Sequence, residues 1–278
     1  MSKLIRAALE GVGKYSDKAY FFQGDQYVGY IWNSDRAADQ NSRALSEWKL
    51  SGRFAPFDAA LNGQGKYARK AYFFSGNVFL TYDWDTETIE LPVKPLSAWK
   101  LPAPFDSGIS AALNGHGKYE KKAYFFKGNQ YVRYDWDLDD IDQPVAALSA
   151  WKLPLPLDAA VDAAVNGAGR FDGRAYFFFG DKYAAYDWQQ DQPMPNYPQP
   201  IGPKWPGLLE AFAAGPMSGP TFKRLYVATL NGGGPLNLQG GQAIKFRMTN
   251  HDVFNNKATI DAGFGAIKEV ILKPNMTE

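Results

Sequence analysis

Two kinds of residue in this chain invite a chemical reading. The stretch FDAALNGQGKYARKAYFFSGN, from Phe57, sets Gly63 and Gly65 two apart just ahead of a lysine. Glycine pairs of this kind open phosphate-binding loops, but such a loop needs a Lys-Ser/Thr pair and a following helix, and neither is in the sequence pattern. The pairs Asp83-Trp84, Asp135-Trp136 and Asp187-Trp188 supply recurring carboxylates. Acid–base chemistry on a glycosidic bond needs two carboxylates converging within about 5 to 10 Å, whereas residues that recur at a long fixed interval are spread over separate structural units. Both features therefore turn the question toward the repeat that carries them.

The stretch from Phe57 recurs as LIRAALEGVGKYSDKAYFFQGD from Leu4, GISAALNGHGKYEKKAYFFKGN from Gly108 and AVDAAVNGAGRFDGRAYFFFGD from Ala160. Gly11, Gly63, Gly115 and Gly167 are spaced by 52 residues, as are Tyr20, Tyr72, Tyr124 and Tyr176. A constant period of this size marks supersecondary units that share a core with their neighbours. Within a unit, AAL is a short apolar strand and NGQG a chain reversal tolerant of positive φ. AYFF and VFLTYDW, joined by a Ser-Gly-Asn turn, make a strand-favouring hairpin. LSEWKL, LSAWKL, a second LSAWKL and GPKWPGL close the four units. About four short strands per unit is the pattern of a propeller blade, so the fold class is all-β, a four-bladed β-propeller plus a small C-terminal β-rich module. The Tyr-Phe-Phe triplets and Trp48, Trp99, Trp151 and Trp205 are then inter-blade packing, with the indole N–H groups bonded locally. The Asp-Trp carboxylates are caps; the first blade has Ile31-Trp32 there, so no four-fold carboxylate ring forms at that level.

DAALNG, KAYFF followed by GNQYVRYDW, and NYPQPIGPKWPGL in the last unit closely resemble the hemopexin repeat, over residues 4 to about 208. The resemblance implies blades at about 4–53, 54–105, 106–157 and 158–210 in a propeller over 1–212. In a propeller the innermost strands line a central channel where equivalent positions meet. The resemblance further implies a cation there, Ca²⁺ or Na⁺, held mainly by backbone carbonyls of Arg6, Asp58, Ser110 and Asp162, with Ala8, Ala60, Ala112 and Ala164 forming the next layer. Arg6 departs from that scheme, since its fixed charge either weakens a cation or pairs with Asp58 or Asp162. The family name also raises haem, for which His116 and His251 are the candidate ligands in a chain without cysteine. His116 sits where the second unit has Gln64, which is the position of an exposed turn.

The expected function is non-enzymatic binding of a small molecule, a protein or a cell-surface receptor. A receptor-binding or toxic component of a secreted virulence system is one alternative, and a haem- or polyamine-sequestering protein, as the seed albumins of this family imply, is another. No nucleophile, base and orienting group stand together, so the chain is read as no enzyme. A net charge of +1 gives no electrostatic case for nucleic acid or an anionic membrane. Without a long apolar segment or a Sec-type leader, a soluble chain is expected, cytoplasmic or exported by another route. With 45% apolar and 15% aromatic residues it has ample core material. AAGPMSGP at 213–220 reads as a linker. Residues 221–278, which contain FKRLYVATL, NGGGP, AIKFRMTN and AIKEVILK, read as strands and a turn, a module near the lower size limit for its own core that could join homo-oligomers.

Overall fold

A computed structural model of the chain describes residues 3–50, 54 and 56–216, together with the backbone of 247–252, 257–261 and 270–271. The chain divides into two compact units, Met1–Met217 and Ser218–Glu278.

The first unit is the four-bladed propeller. Each blade opens with a four-residue inner strand: Ala7–Glu10, Ala59–Asn62, Ala111–Asn114 and Ala163–Asn166. A hairpin of two six-residue strands follows, for example Lys70–Ser75 and Val78–Asp83 in blade two. The outer strand is continuous in blades two and three, at Thr88–Pro95 and Asp140–Ala147. In blades one and four it is broken into two short strands, Arg36–Ala37 and Arg43–Ala44 in the one and Gln192–Pro193 and Gln199–Pro200 in the other, each paired with the third strand of its blade. The four inner strands pack on one another in a closed ring, so the sheet edges nearest the axis protect each other.

The glycine pairs are geometric necessities of this unit. A Cβ on Gly63 would lie 2.3 Å from the Tyr67 carbonyl oxygen, and Gly65 holds φ at +57°. Only glycine fits both the close approach and the left-handed conformation. The turn between inner and second strands contains a short 3₁₀ segment, Gly65–Tyr67, where the sequence pattern passes straight from glycine to strand.

Strand alternation explains the aromatic triplets. Phe73 joins a cluster between blades one and two with Phe22, Trp48 and Leu80, while Tyr72 and Phe74 join the next cluster with Trp99, Phe125 and Trp136. Trp99 is central there, with ring centroids 4.8 Å from Tyr72, 5.2 Å from Tyr134 and 5.3 Å from both Phe74 and Phe125. Four such clusters, one per pair of adjacent blades, are the core. The expectation of locally bonded indole N–H groups is not met at Trp205, whose buried Nε1 has no partner among the described residues; the indoles that do donate are those of Trp84, Trp136 and Trp188.

The ring is closed by a helix that the repeat pattern does not announce. Leu208–Ala214 buries Leu208, Ala211 and Phe212 against blade one. Ser42 N–H donates to the Ala211 carbonyl at 2.8 Å and Ala37 N–H to that of Pro206 at 2.9 Å. Ser42 also bridges to Pro216. The chain therefore stays on blade one to Pro216, beyond the boundary at 212 and into the expected linker.

The second unit contains a three-stranded antiparallel sheet of Arg247–Asp252, Lys257–Asp261 and Val270–Ile271. The proposed strand over Phe222–Leu230, the turn at Asn231–Pro235 and the start of AIKFRMTN lie outside the described residues. No helix among the described residues is long and apolar enough to cross a membrane.

Candidate functional site

Arg6, Asp58, Ser110 and Asp162 each stand one residue before an inner strand and donate their N–H to the second strand, for example Asp58 to the Phe74 carbonyl at 2.7 Å. They thus mark one mouth of the channel. Ala8, Ala60, Ala112 and Ala164 follow two residues on, with their methyl groups in the four inter-blade clusters.

The mouth is crossed by side-chain cations. Arg6 Nε donates to the Phe57 carbonyl at 2.7 Å and its terminal nitrogen to Asp58 Oδ1 at 2.6 Å. Lys3, absent from the repeat pattern, donates from Nζ to the Ser110 carbonyl at 3.1 Å and the Asp162 carbonyl at 3.4 Å, with Asp162 Oδ1 at 3.9 Å. The other carboxylate oxygens face outward, Asp58 Oδ2 accepting from Gly76 N–H and Asp162 Oδ2 from Gly180 N–H. Burial pushes the Lys3 ammonium below its ordinary pKa, opposed by Asp162 and Asp58. A metal ion at these carbonyls does not fit beside Lys3. At about 4 Å, like unit charges repel by about 4 kcal/mol at an effective dielectric of 20.

The far mouth carries a second ring. Asn62 Nδ2 donates to the Glu10 carbonyl at 2.8 Å, Asn114 Nδ2 to that of Asn62 at 2.8 Å, and Asn166 Nδ2 to that of Asn114 at 2.9 Å. Each asparagine also accepts from its own blade's indole, Trp84, Trp136 or Trp188. In blade one Glu10 takes the asparagine's place and accepts from Asn166 N–H at 2.7 Å. Trp32 Nε1 is left buried without a partner among the described residues. Burial pushes the Glu10 carboxyl above the ordinary glutamate range, against the pull of the Asn166 N–H.

The Asp-Trp carboxylates are caps. Asp83 Oδ1 accepts from Asp85 and Thr86 N–H, and the Lys70 ammonium together with these bonds holds its pKa down at about 2. Asp135 and Asp187 bind the next turn in the same way. His116 lies on an exposed loop with Nε2 3.1 Å from Asp172 Oδ1. It lines neither of the recesses described below, so its surroundings do not fit a haem ligand. His251 is on the Arg247–Asp252 strand of the second unit, and its side chain lies outside the description.

Among the described residues, recesses open between adjacent blades. The one between blades three and four holds about 130 Å³ and is lined by Tyr119, Tyr124, Arg133, Trp151 and Trp188. The one between blades two and three holds about 320 Å³ and is walled by Tyr67, Tyr72, Trp99, Tyr134 and Trp136, with Thr81 on its floor. Thr81 is 4% exposed and its Oγ1 has no hydrogen-bond partner among the described residues. Lys70, Glu90, Lys94 and Asp139 form the rim, with Tyr67 O–H donating to Asp139 Oδ2 at 3.2 Å. The corresponding residues of the four blades are Gly29, Thr81, Arg133 and Ala185, a variation visible once the repeats are aligned. Glu10 against Asn62, Asn114 and Asn166 is visible in the same way. Lys3 leaves no such trace, because it precedes the repeat.

Four blades closed on a ring of short inner strands define the first unit as a small β-propeller. Comparison with known proteins assigns the kind of propeller. The Hemopexin family model matches residues 161–208. Vitronectin of Oryctolagus cuniculus is 32% identical over 117 residues, 41% of this chain and 22% of that protein. Vitronectin of Sus scrofa is 30% identical over 139 residues, 49% and 28% respectively. The chain thus spans about a quarter of the length of these curated relatives. Among solved structures, the hemopexin fold protein CP4 from cow pea superposes with a TM-score of 0.63 at 21% identity, covering 74% of this chain and 97% of that one. The seed albumin LS24 from Lathyrus sativus gives 0.56 at 22%, covering 74% and 96%. A Cicer arietinum plant lectin described as having two metal binding sites gives 0.53 at 20%, covering 71% and 90%. Residues 4–208 are accordingly four repeats closed into one propeller that is similar to the hemopexin fold, and residues 161–208 match the Hemopexin family model.

Proposed function

We propose that the propeller is a binding module without catalytic activity, and that it takes a compact neutral ring compound bearing hydroxyl or amide groups in the recess between blades two and three. The carrying observation is the unpartnered Thr81 hydroxyl on the floor of an aromatic-walled recess of about 320 Å³. That volume lies at the lower end of the roughly 300 to 1,000 Å³ typical of ligand pockets, and few, well-placed polar groups among aromatic walls are their usual composition. Thr81 Oγ1 is closed off from solvent in the free protein, so a ligand group reaches it only as the aromatic walls part, and a bond made there recovers the roughly 1 to 3 kcal/mol that a buried unpartnered hydroxyl costs. The rim carries both signs, Lys70 and Lys94 against Glu90 and Asp139, and so favours no net ligand charge. A non-catalytic reading is supported by the Asp-Trp carboxylates, which are already committed to caps.

Ligand-observed NMR with panels of monosaccharides, nucleosides and aromatic amides tests the proposal on the full chain. At least one neutral class is expected to show saturable contact, and Thr81→Arg, which copies blade three, to abolish it with the thermal midpoint retained. Absence of binding by every class, or equal binding by the variant, overturns it.

A further inference from the structure

We propose that Lys3 is a built-in axial cation, so that the channel mouth of this propeller closes without a metal ion. The carbonyls of Ser110 and Asp162, two of the four that the repeat places around the axis, already accept from its Nζ at 3.1 and 3.4 Å. Its charge also faces Asp162 Oδ1 at 3.9 Å. An ammonium has three donors and no acceptor, so it meets converging carbonyl oxygens with the polarity of a metal ion. Arg6 completes the arrangement on the other half of the ring through the Phe57 carbonyl and Asp58 Oδ1. Two cations from the start of the chain thus tie blades one and two and blades three and four across the mouth. Lys3 and Asp162 expose only 27% and 12% of their side chains, so bulk salt screens the pair weakly.

This inference is independent of the recess and is tested without any ligand. Thermal unfolding of the full chain, Lys3→Met and Lys3→Arg is compared in excess EDTA, CaCl₂ and NaCl at matched ionic strength, with elemental analysis of each protein. The unsubstituted chain and Lys3→Arg are expected to unfold at the same midpoint in all three media and to carry no stoichiometric metal. Lys3→Met is expected to unfold several degrees lower in EDTA and to regain part of the loss in CaCl₂ or NaCl as the vacated carbonyls take an ion. If Lys3→Met does not fold at all, a metal-free and metal-indifferent Lys3→Arg still carries the inference. A saturable rise of the unsubstituted chain's midpoint with Ca²⁺ or Na⁺, stoichiometric metal in it, or a Lys3→Met midpoint equal to its own in EDTA overturns it.

Discussion

The clefts between blades two and three and between blades three and four are built from the same residues moved along by one repeat. Tyr67, Tyr72, Trp99, Tyr134 and Trp136 in the first correspond to Tyr119, Tyr124, Trp151, Tyr186 and Trp188 in the second. Their volumes nevertheless differ, about 320 Å³ against about 130 Å³. The linings differ most in one position of the third strand, beside smaller changes such as Tyr131 for Phe79. Arg133 fills its cleft and is tied to Asp142 by an Nε–Oδ1 contact of 2.8 Å, whereas Thr81 is too short to reach across. The packing residues are held fixed because the core fails without them. A position facing the cleft is free to vary, and specificity in a repeat fold is concentrated in such positions.

The largest expected effect tests the part of the comparison in which the clefts are equal. Trp99→Ala and Trp151→Ala each remove a buried indole packed on four or more aromatic rings. Each should cost about 3 to 5 kcal/mol in chemical denaturation. The two costs should agree within about 1 kcal/mol, given the spread that local relaxation produces. A much cheaper Trp99→Ala would mean that the wider cleft is already slack and that the two cores are not equivalent.

A smaller effect is expected from converting one cleft into the other. Arg133→Thr leaves Asp142 with Lys122 at 2.6 Å as its remaining cation. The lost ion pair is only part-buried, so the cost should be about 1 kcal/mol. Ligand stoichiometry should rise from one to two, measured by titration with whichever probe binds the unsubstituted chain. An unchanged stoichiometry would show that more than this residue separates the clefts.

The cleft between blades four and one extends the comparison to charge. Trp32 stands there as Trp84, Trp136 and Trp188 do in theirs, but its indole N–H has no partner among the described residues, and Glu10 holds the repeat position of their asparagines. The folded-state pKa of Glu10 is raised by burial from the ordinary 4.5. Its contribution is therefore fully present below the unfolded value and is lost as pH rises through the folded one. Glu10→Gln keeps an acceptor for the Asn166 N–H and removes the charge. It should raise the unfolding midpoint at pH 7, by an amount that shrinks to nothing below pH 4.5. A gain independent of pH would assign the effect to hydrogen bonding and not to ionisation.

The repeat made the blades, the inner strands and the aromatic core legible, because each of those follows from a pattern stated four times. The resemblance to the hemopexin repeat placed Asp58 at the channel mouth, and its pairing with Arg6 was among the outcomes which that placement allowed. Lys3 and the helix Leu208–Ala214 were not legible, since both lie outside the repeated segment and act through tertiary contact. Thr81 and Glu10 were visible as departures from the pattern, but only burial and a missing partner give those departures meaning. In a repeat protein the consensus reads out the fold, and the exceptions have to be read in three dimensions.

The smallest effect concerns Thr81 alone. Its hydroxyl is buried and unpartnered, so Thr81→Val removes a desolvated polar group and keeps the side chain's shape. Stability should rise by up to about 1 kcal/mol, because no protein hydrogen bond is given up and a desolvation cost is lifted. In the cleft comparison this variant separates volume from polarity, since the recess keeps its size while its floor loses its donor and acceptor. Binding of a hydroxyl- or amide-bearing ring should weaken several-fold, whereas Thr81→Arg removes it altogether. If Thr81→Val binds as tightly as the unsubstituted chain, the walls alone select the ligand and the hydroxyl plays no part. A stability loss in that variant would instead show that Thr81 finds a hydrogen bond in the free protein, and the open cleft would then differ from its neighbour in size alone.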